Sequence, residues 1–345
     1  MCDPRSDRVL IIGGTGSLGR KLIERLLPHH EVAVLSRDEA KHWTIRNEMM
    51  AGRPASDLRF YVGDIRDRGR IEDVIRQYLP GTIIVAAALK QVDTCELSPD
   101  ESVMTNLIGT QNVVAAVNRS QLPPHSVLFV STDKACSPVN VYGMCKAISE
   151  RIVTSQARGG RPGVRFLAVR YGNVLESRGS IIPLFKHQGM HCQQLTVTDP
   201  NMTRFLMTLD DSVNLIEAAL KDGASGQTWV PLLPAMRIGD LAEIFATKYS
   251  KTIKVIGLRP GEKLHEDLIN ESESVRTEKH RSGRYHIIQP AFISGANERF
   301  TCSSSSWVMS PEQLLQHLTA LGVVDAPLER FKGLLIEEIA TNRQE

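Results

Sequence analysis

The sequence predicts an α/β fold: a Rossmann-type doubly wound parallel sheet with a smaller C-terminal substrate-binding domain. Three observations carry that expectation. Over the first 170 or so residues, short apolar runs alternate with longer amphipathic segments. A glycine-spaced turn stands at the first strand-to-helix crossing. After that the rhythm loosens into shorter mixed elements separated by Gly and Pro.

"RVLII" opens the alternation as a strand, and "SLGRKLIERLL" follows it as a helix. "EVAVL", "DLRFYV", "TIIVAAAL", "SVLFVST" and "VRFLAVRY" read as the next strands, joined by right-handed crossovers into one parallel sheet. Residues 1–172 are expected to form the dinucleotide-binding domain and 173–345 the substrate domain, with some later segments returning to the first sheet. In the second half, "QQLTVTD", "TRFLMTLDDSVNLIEAAL", "GQTWVPLL" and "IGDLAEIFATKY" supply short strands and helices. The stretch "CSSSSWVMSPEQLLQHL" reads as a polar loop entering a terminal helix. Ser310 is placed as N-cap, Pro311 at the first helical position and Gln313 as the closing member of a capping box.

Composition narrows the partners. Across 345 residues, 41 Lys and Arg against 39 Asp and Glu leave a net charge of +2, which offers nothing general to nucleic acid or to an anionic membrane. Six cysteines show no C-x-x-C or Cys/His cluster, so reduced thiols and no metal are expected. No uncharged apolar run reaches the roughly 18–20 residues of a membrane span, and the start "MCDPRSDRVL" lacks a signal peptide's apolar region. A cytoplasmic protein without a membrane span is the expectation.

Gly13, Gly16 and Gly19 lie between the first strand and its helix, with Thr15, Ser17 and Leu18 among them. A pyrophosphate at a helix N-terminus needs backbone without Cβ there, so this turn is read as a dinucleotide site. At the end of the second strand an acid on the ribose hydroxyls would indicate NAD, but "VLSRDE" offers Ser36 and Arg37. NADP is therefore expected rather than NAD, with Arg37 clamping the 2′-phosphate and Lys41 helping.

The G-x-x-G-x-x-G spacing resembles the extended short-chain dehydrogenase/reductase superfamily. That resemblance implies adenine contacts at Asp64 and Ile65 in "GDIRD". It implies passage of the nicotinamide ribose along Ala86, Ala87 and Ala88, with Lys90 close by.

The segment "VLFVSTDKACSPVNVYGMCKAISE" at residues 127–150 passes from strand to helix. Tyr142 and Lys146 are four apart and share a helix face, where an ammonium would pull the phenol toward use as a base. Thr132 is the hydroxyl partner that the superfamily uses beside the Tyr. Simple redox has no use for Asp133 and Lys134. An acid and a base next to a carbonyl generated in place fit elimination: oxidation at C4 of a sugar acidifies the C5 proton, a base removes it, and an acid helps the C6 hydroxyl depart.

Dense matches running from the glycine loop through "SRDE", "GDIRD", "AAALK", "STDKACSPVNVYGMCK", "VRYGNVLESRGSIIPLF", "MTRFLMTLDD" and "LRPGEKLHE" to "IIQP" identify the resemblance more closely. The chain is similar to the inverting, 5-epimerising UDP-N-acetylglucosamine 4,6-dehydratases of bacterial surface-sugar pathways. Retaining 4,6-dehydratases carry Thr-Asp-Glu where this chain has Thr-Asp-Lys. The resemblance implies Tyr142 as C4 base, Asp133 as acid for the C6 hydroxyl, and Lys134 as C5 base, neutral and so of depressed pKa. It implies sugar-nucleotide contacts from Lys90, Asn173, Arg178, Arg204, Arg259 and Glu262, and a dimeric or hexameric homo-oligomer. His265 and Glu266 either cap a helix or touch substrate, and Gln91 stands where the family has His. A retaining dehydratase, a dehydratase of another nucleotide sugar, a 4-epimerase and a non-catalytic NADP sensor stay open as alternatives.

Overall fold

The structure is a computed structural model that describes residues 3–327, apart from 4, 51, 53, 55, 176 and 178. Arg178 therefore lies outside the described residues.

The first half alternates as the apolar runs require. In order come β1 (Arg8–Ile12), α1 (Ser17–Leu26), β2 (Glu31–Ser36), α2 (Glu39–Met49), β3 (Leu58–Val62), α3 (Arg68–Tyr78) and β4 (Thr82–Val85). Two short helices, α4 (Val92–Leu97) and α5 (Pro99–Ser102), lead through a π-helical stretch, Val103–Ile108, into α6 (Gly109–Arg119). β5 (Ser126–Val130), α7 (Val141–Gly159) and β6 (Arg165–Val169) complete the set. The six strands pair in parallel in the order β3-β2-β1-β4-β5-β6. The order reverses between β1 and β4, and a crevice opens there at the strands' carboxyl ends.

Both faces of this sheet are covered, which is why its strands read as continuous apolar runs. Val9, Ile11, Val32 and Val34 share a core with Leu22, Ile23 and Leu26 of α1, whereas Leu10, Ile12, Ala33 and Leu35 point to the other face, toward Ile71, Val74, Val113 and Val117. The runs overshoot the strands: "TIIVAAAL" leaves the sheet after Val85, because Ala86–Ala88 pass the glycine turn at the sheet's edge.

The second half contributes β7 (Asn173–Val174), α8 (Ile181–His191), β8 (Gln194–Val197), β9 (Thr203–Met207), α9 (Leu209–Asp222) and β10 (Thr228–Pro231). β10 joins β6 in parallel, and Tyr285–Ile288 and Thr277–Lys279 add two antiparallel strands, so the main sheet has nine. A separate core gathers Phe185 of α8, Leu195 and Val197 of β8, Leu241 and Phe245 of Ile238–Tyr249, and Leu314 and Leu318 of Pro311–Ala320. The capping box forms on Ser310, which accepts from the Gln313 amide at 3.2 Å while its own amide donates to Gln313 Oε1 at 2.9 Å.

The serine run departs from the expected loop. Cys302–Ser303 is a strand paired antiparallel with Asp267–Ile269, and Ser304 is fully buried. Its hydroxyl has partners there: it accepts from the Glu266 amide at 2.9 Å and lies 2.7 Å from Thr203 Oγ1. Among the described residues no helix is long and apolar enough to cross a membrane.

Candidate active site

A continuous cleft of about 1540 Å³ runs along the carboxyl ends of the parallel strands and under β9 and the 256–262 loop. It brings together the residues singled out from the sequence for cofactor, chemistry and sugar nucleotide; His265 does not line it, and Arg178 lies outside the described set.

The glycine turn forms the first wall. Gly13 has φ +88°, a left-handed conformation, and a Cβ placed on it would lie 2.5 Å from the Ala87 backbone. β1 and β4 can approach this closely at the crevice only without that carbon. Gly19 meets the Gly14 backbone in the same way, so α1 packs directly on the turn and presents its N-terminal amides to the cleft. This cradle fits a dinucleotide pyrophosphate.

At the end of β2, Arg37 is exposed and makes a long contact, 3.7 Å, with Asp64 Oδ2. Asp64 belongs chiefly to Arg66, whose guanidinium holds its carboxylate below the ordinary range although burial alone would raise it. Lys41 Nζ pairs with Asp38 at 2.5 Å, and the Ser36 hydroxyl sits 2.6 Å from His42 Nε2. No acid ends β2, and the exposed Arg37 guanidinium stands at that point with Asp64 3.7 Å away.

The catalytic segment leaves β5 in an extended conformation and tightens at once into a 3₁₀ turn, Asp133–Ala135, capped by Thr132. The Thr132 hydroxyl donates to Asp133 Oδ1 at 2.9 Å, and Lys134 Nζ donates to the same oxygen at 3.1 Å. Asp133 is buried, and its Oδ2 has no hydrogen-bond partner among the described residues. The turn is pinned by the Asp133 amide, which donates to the Tyr171 carbonyl at 2.9 Å. α7 starts six residues later with Asn140 as N-cap, accepting from the Gly143 amide at 2.7 Å, and Asn140 also donates to the Gly261 carbonyl at 2.8 Å. α7 and the "RPGE" loop are thereby joined.

Two electrostatic expectations are corrected. Lys134 was expected to have a depressed pKa. Burial does push it down, but Asp133 and then Glu266, 3.4 Å from Nζ, outweigh burial, and the group lies above its ordinary value. In the resting site it is an ammonium. Lys146 was expected to pull Tyr142 down. Burial dominates the phenol and pushes it up to about 12, and the cation that opposes this is Lys134, helped by a hydrogen bond with Thr132. Lys146 instead donates to the Val130 carbonyl at 2.5 Å and lies over the Phe129 ring at 3.9 Å. Its burial lowers it to about 7 against the raising influence of Glu150.

On the opposite wall the substrate-motif residues divide. Asn173 on β7 is exposed, and Arg259 and Glu262 close a turn in which the Arg259 amide donates to Glu262 Oε2 at 3.1 Å. Arg204 is buried, and its guanidinium is spent on the carbonyls of Thr203, Lys263 and Leu264. It holds the 263–266 loop in place at the cleft. Lys90 and Gln91 sit at the mouth, where Gln91 precedes α4 without a side-chain cap. Glu266, left undecided between cap and contact, is buried beside Lys134.

Sequence reading missed Asn140 as a linker and Glu96, which accepts from the Val141 amide at 2.7 Å. An Asn two residues before Tyr142 is a recognisable N-cap signal; the Glu96 contact has no local signature.

Residues 9–289 match a family described as polysaccharide biosynthesis protein. A Rickettsia typhi protein named UDP-glucose 4-epimerase is 41% identical over 290 residues, 81% of this chain and 82% of its own. The solved structure of Pen from Bacillus thuringiensis is 33% identical with a TM-score of 0.85, covering 92% of this chain and 98% of that one. DesIV, a dTDP-glucose 4,6-dehydratase from Streptomyces venezuelae solved with NAD, gives a TM-score of 0.65 at 22% identity over 74% of this chain and 86% of its own, a likeness of fold.

Proposed function

The chain belongs to the polysaccharide biosynthesis protein family, with the extended short-chain dehydrogenase/reductase fold, and from that premise we propose that it is an NADP-dependent, inverting UDP-N-acetylglucosamine 4,6-dehydratase. At the coarser level it is a nucleotide-sugar-modifying enzyme of the epimerase and dehydratase type. The observation that supports dehydration is the buried Asp133–Lys134 pair beside Tyr142 in the cleft of the glycine loop. A 4-epimerase needs the redox residues and has no task for that pair.

When bound, the dinucleotide supplies reversible acceptance of hydride from C4 of the sugar and its return at C6. Tyr142 takes the C4 hydroxyl proton, steadied by Thr132 and the Lys134 charge. With a ketone at C4, Lys134 as the amine removes the C5 proton. The electron pair of that bond becomes the C5–C6 double bond as the C6–O bond breaks; the proton gained by Lys134 passes across its 3.1 Å hydrogen bond to Asp133, which hands it to the departing hydroxyl, so water leaves. Proton delivery to C5 from the other face inverts that centre. Arg259 and Asn173 face the nucleotide-sugar side of the cleft.

Incubation with UDP-N-acetylglucosamine and NADP in deuterated water, followed by NMR, is expected to give a 4-keto-6-deoxy product with deuterium at an inverted C5. Absence of that product refutes dehydration, and a retained C5 refutes the role of Lys134. The name carried by the Rickettsia relative favours a second reading, 4-epimerisation, which the same spectra would register as a C4 epimer with its C6 hydroxyl intact.

Cofactor choice has its own test. Arg37→Ala is expected to weaken NADP about 10- to 100-fold and NAD hardly at all, the loss of one charge-assisted contact at roughly 1.5–3 kcal/mol. Fluorescence titration of both cofactors reads this, and equal losses would remove Arg37 from the 2′-phosphate.

A further inference from the structure

Retaining dehydratases carry a Glu directly after the Asp, and this chain has Lys134 there. A carboxylate nevertheless stands beside Lys134, brought by Glu266 from the far end of the "RPGEKLHE" motif. Its Oε1 lies 3.4 Å from Lys134 Nζ, which also contacts Asp133 Oδ1 at 3.1 Å. Its Oε2 is buried and has no hydrogen-bond partner among the described residues.

The surroundings hold Glu266 in that position. Its amide donates to Ser304 Oγ at 2.9 Å, and the Ser304 amide returns a bond to its carbonyl at 2.8 Å. Arg204 fixes the carbonyls of Lys263 and Leu264 just before it. Lys134 and Asp133 face its carboxylate from the β5–α7 turn and Arg204 from β9; Lys263, 3.8 Å from Oε2, faces it from its own loop. His265 next to it is turned to Thr203, 2.8 Å from Nδ1.

We propose that Glu266 is the proton acceptor that converts Lys134 from the resting ammonium to the amine that attacks C5. This rests on the dehydratase reading above. One N–H bond of Lys134 breaks and one O–H bond forms on Glu266, with no other reactant. The amine then takes the C5 proton and returns to the ammonium, while Glu266 keeps the first proton within the cleft. A buried carboxylate with an unsatisfied oxygen is suited to this, since its protonation relieves a desolvation penalty. Glu266 acts through Lys134 and is a positioning and proton-holding residue for the elimination step alone.

Glu266→Gln keeps the shape and removes the acceptor. Single turnovers of the full-length variant with NADP and UDP-N-acetylglucosamine in deuterated water should show C4 oxidation at the wild-type rate and deuterium entry at C5 slowed about 100-fold. Reduced nicotinamide would accumulate before product. With Glu266 removed as acceptor, loss of the Lys134 proton depends more strongly on solvent hydroxide, so the C5 step of the variant should recover as pH rises, where the wild type changes little. Glu266→Asp retains the acid on a shorter arm and should restore part of the C5 rate with the wild-type pH profile. It also carries the test if the Gln variant does not fold, and a C5 rate equal to wild type in Asp would then overturn the proposal. Undiminished C5 exchange in E266Q, or equal slowing of both steps, overturns it as well. A wild type that dehydrates beside such variants overturns this role alone, whereas a wild type that makes no 4-keto-6-deoxy product overturns the dehydratase reading beneath it.

Discussion

Tyr142→Phe is expected to yield a folded protein that binds NADP as the wild type does and turns over about 10³- to 10⁴-fold more slowly, the upper range for loss of a general base. The Tyr142 ring, in the first turn of α7, is buried, and Phe keeps that volume. On the proposed dehydratase reading, what disappears is the oxygen that receives the C4 hydroxyl proton, and without that step neither the ketone nor the acidic C5 proton is formed. A calorimetric cofactor titration and a steady-state rate measure the two sides, and turnover equal to wild type would remove Tyr142 from the chemistry. The raised phenol adds a pH prediction for the wild type. Burial places Tyr142 near 12 in the free site, the active form is the phenolate, and kcat/KM should therefore rise with pH from neutrality into the alkaline range. Lys134, also raised, keeps its helpful charge across that interval. A kcat/KM that falls over the same interval would contradict this assignment.

The second large effect concerns stability. Arg170, at the end of β6, is buried between Glu150 of α7 and Glu273: Nη2 lies 2.5 Å from Glu150 Oε1, and Nη1 lies 2.8 Å from Glu273 Oε2. Nη1 also donates to the Leu268 carbonyl at 2.8 Å. Arg170→Ala leaves two carboxylates without their cation in the interior and is expected to cost about 3–5 kcal/mol. Burial alone would raise Glu273, yet Arg170 holds it at about 2 against an ordinary 4.5. Its folded pKa is depressed, so its contribution is complete above about pH 4.5 and is lost as pH falls toward 2. A shift of that size corresponds to roughly 3 kcal/mol. Urea unfolding from pH 7 down to pH 2 should show this loss in the wild type. In the variant, where the uncompensated carboxylates favour protonation, the stability deficit should narrow on acidification. A variant within about 1 kcal/mol of wild type at pH 7 would show that the cluster is dispensable. Because Glu150 lies on the helix of Tyr142 and Lys146, and Cys136 Sγ lies 3.7 Å from Glu273, the cluster also braces the catalytic turn.

Much of the site was legible because its signals are local. The glycine turn, the Ser36–Arg37 step, the Thr132–Lys134 turn and the Tyr142–Lys146 pair each lie within a few residues, at spacings set by a turn or one helical period. The strands were legible for a related reason: a parallel sheet covered on both faces demands continuous apolar runs, and β1, β2, β4, β5 and β6 are such runs. Ionisation was not legible. Lys146 neighbours Tyr142 in helical spacing, but its amine turns to the Val130 carbonyl, and the charge beside the phenol comes from Lys134.

The amino-acid order by itself determined the parallel α/β sheet, the glycine turn at its first crossing and the strand-to-helix segment of the candidate site, since each depends on backbone geometry and side-chain period over short stretches. Only the tertiary structure decided what those side chains meet. "CSSSSW" looked like a loop until pairing with 267–269 buried Ser304 against the Glu266 backbone. Arg204 was read as a sugar-nucleotide contact, and the fold adds that its guanidinium, at the cleft wall, meets three carbonyls. Lys134 was expected to be neutral until Asp133 and Glu266 were found within 3.1 and 3.4 Å of its amine. Protonation depends on burial and on every charge within a few ångströms, and those distances are set by contacts between segments far apart in the chain.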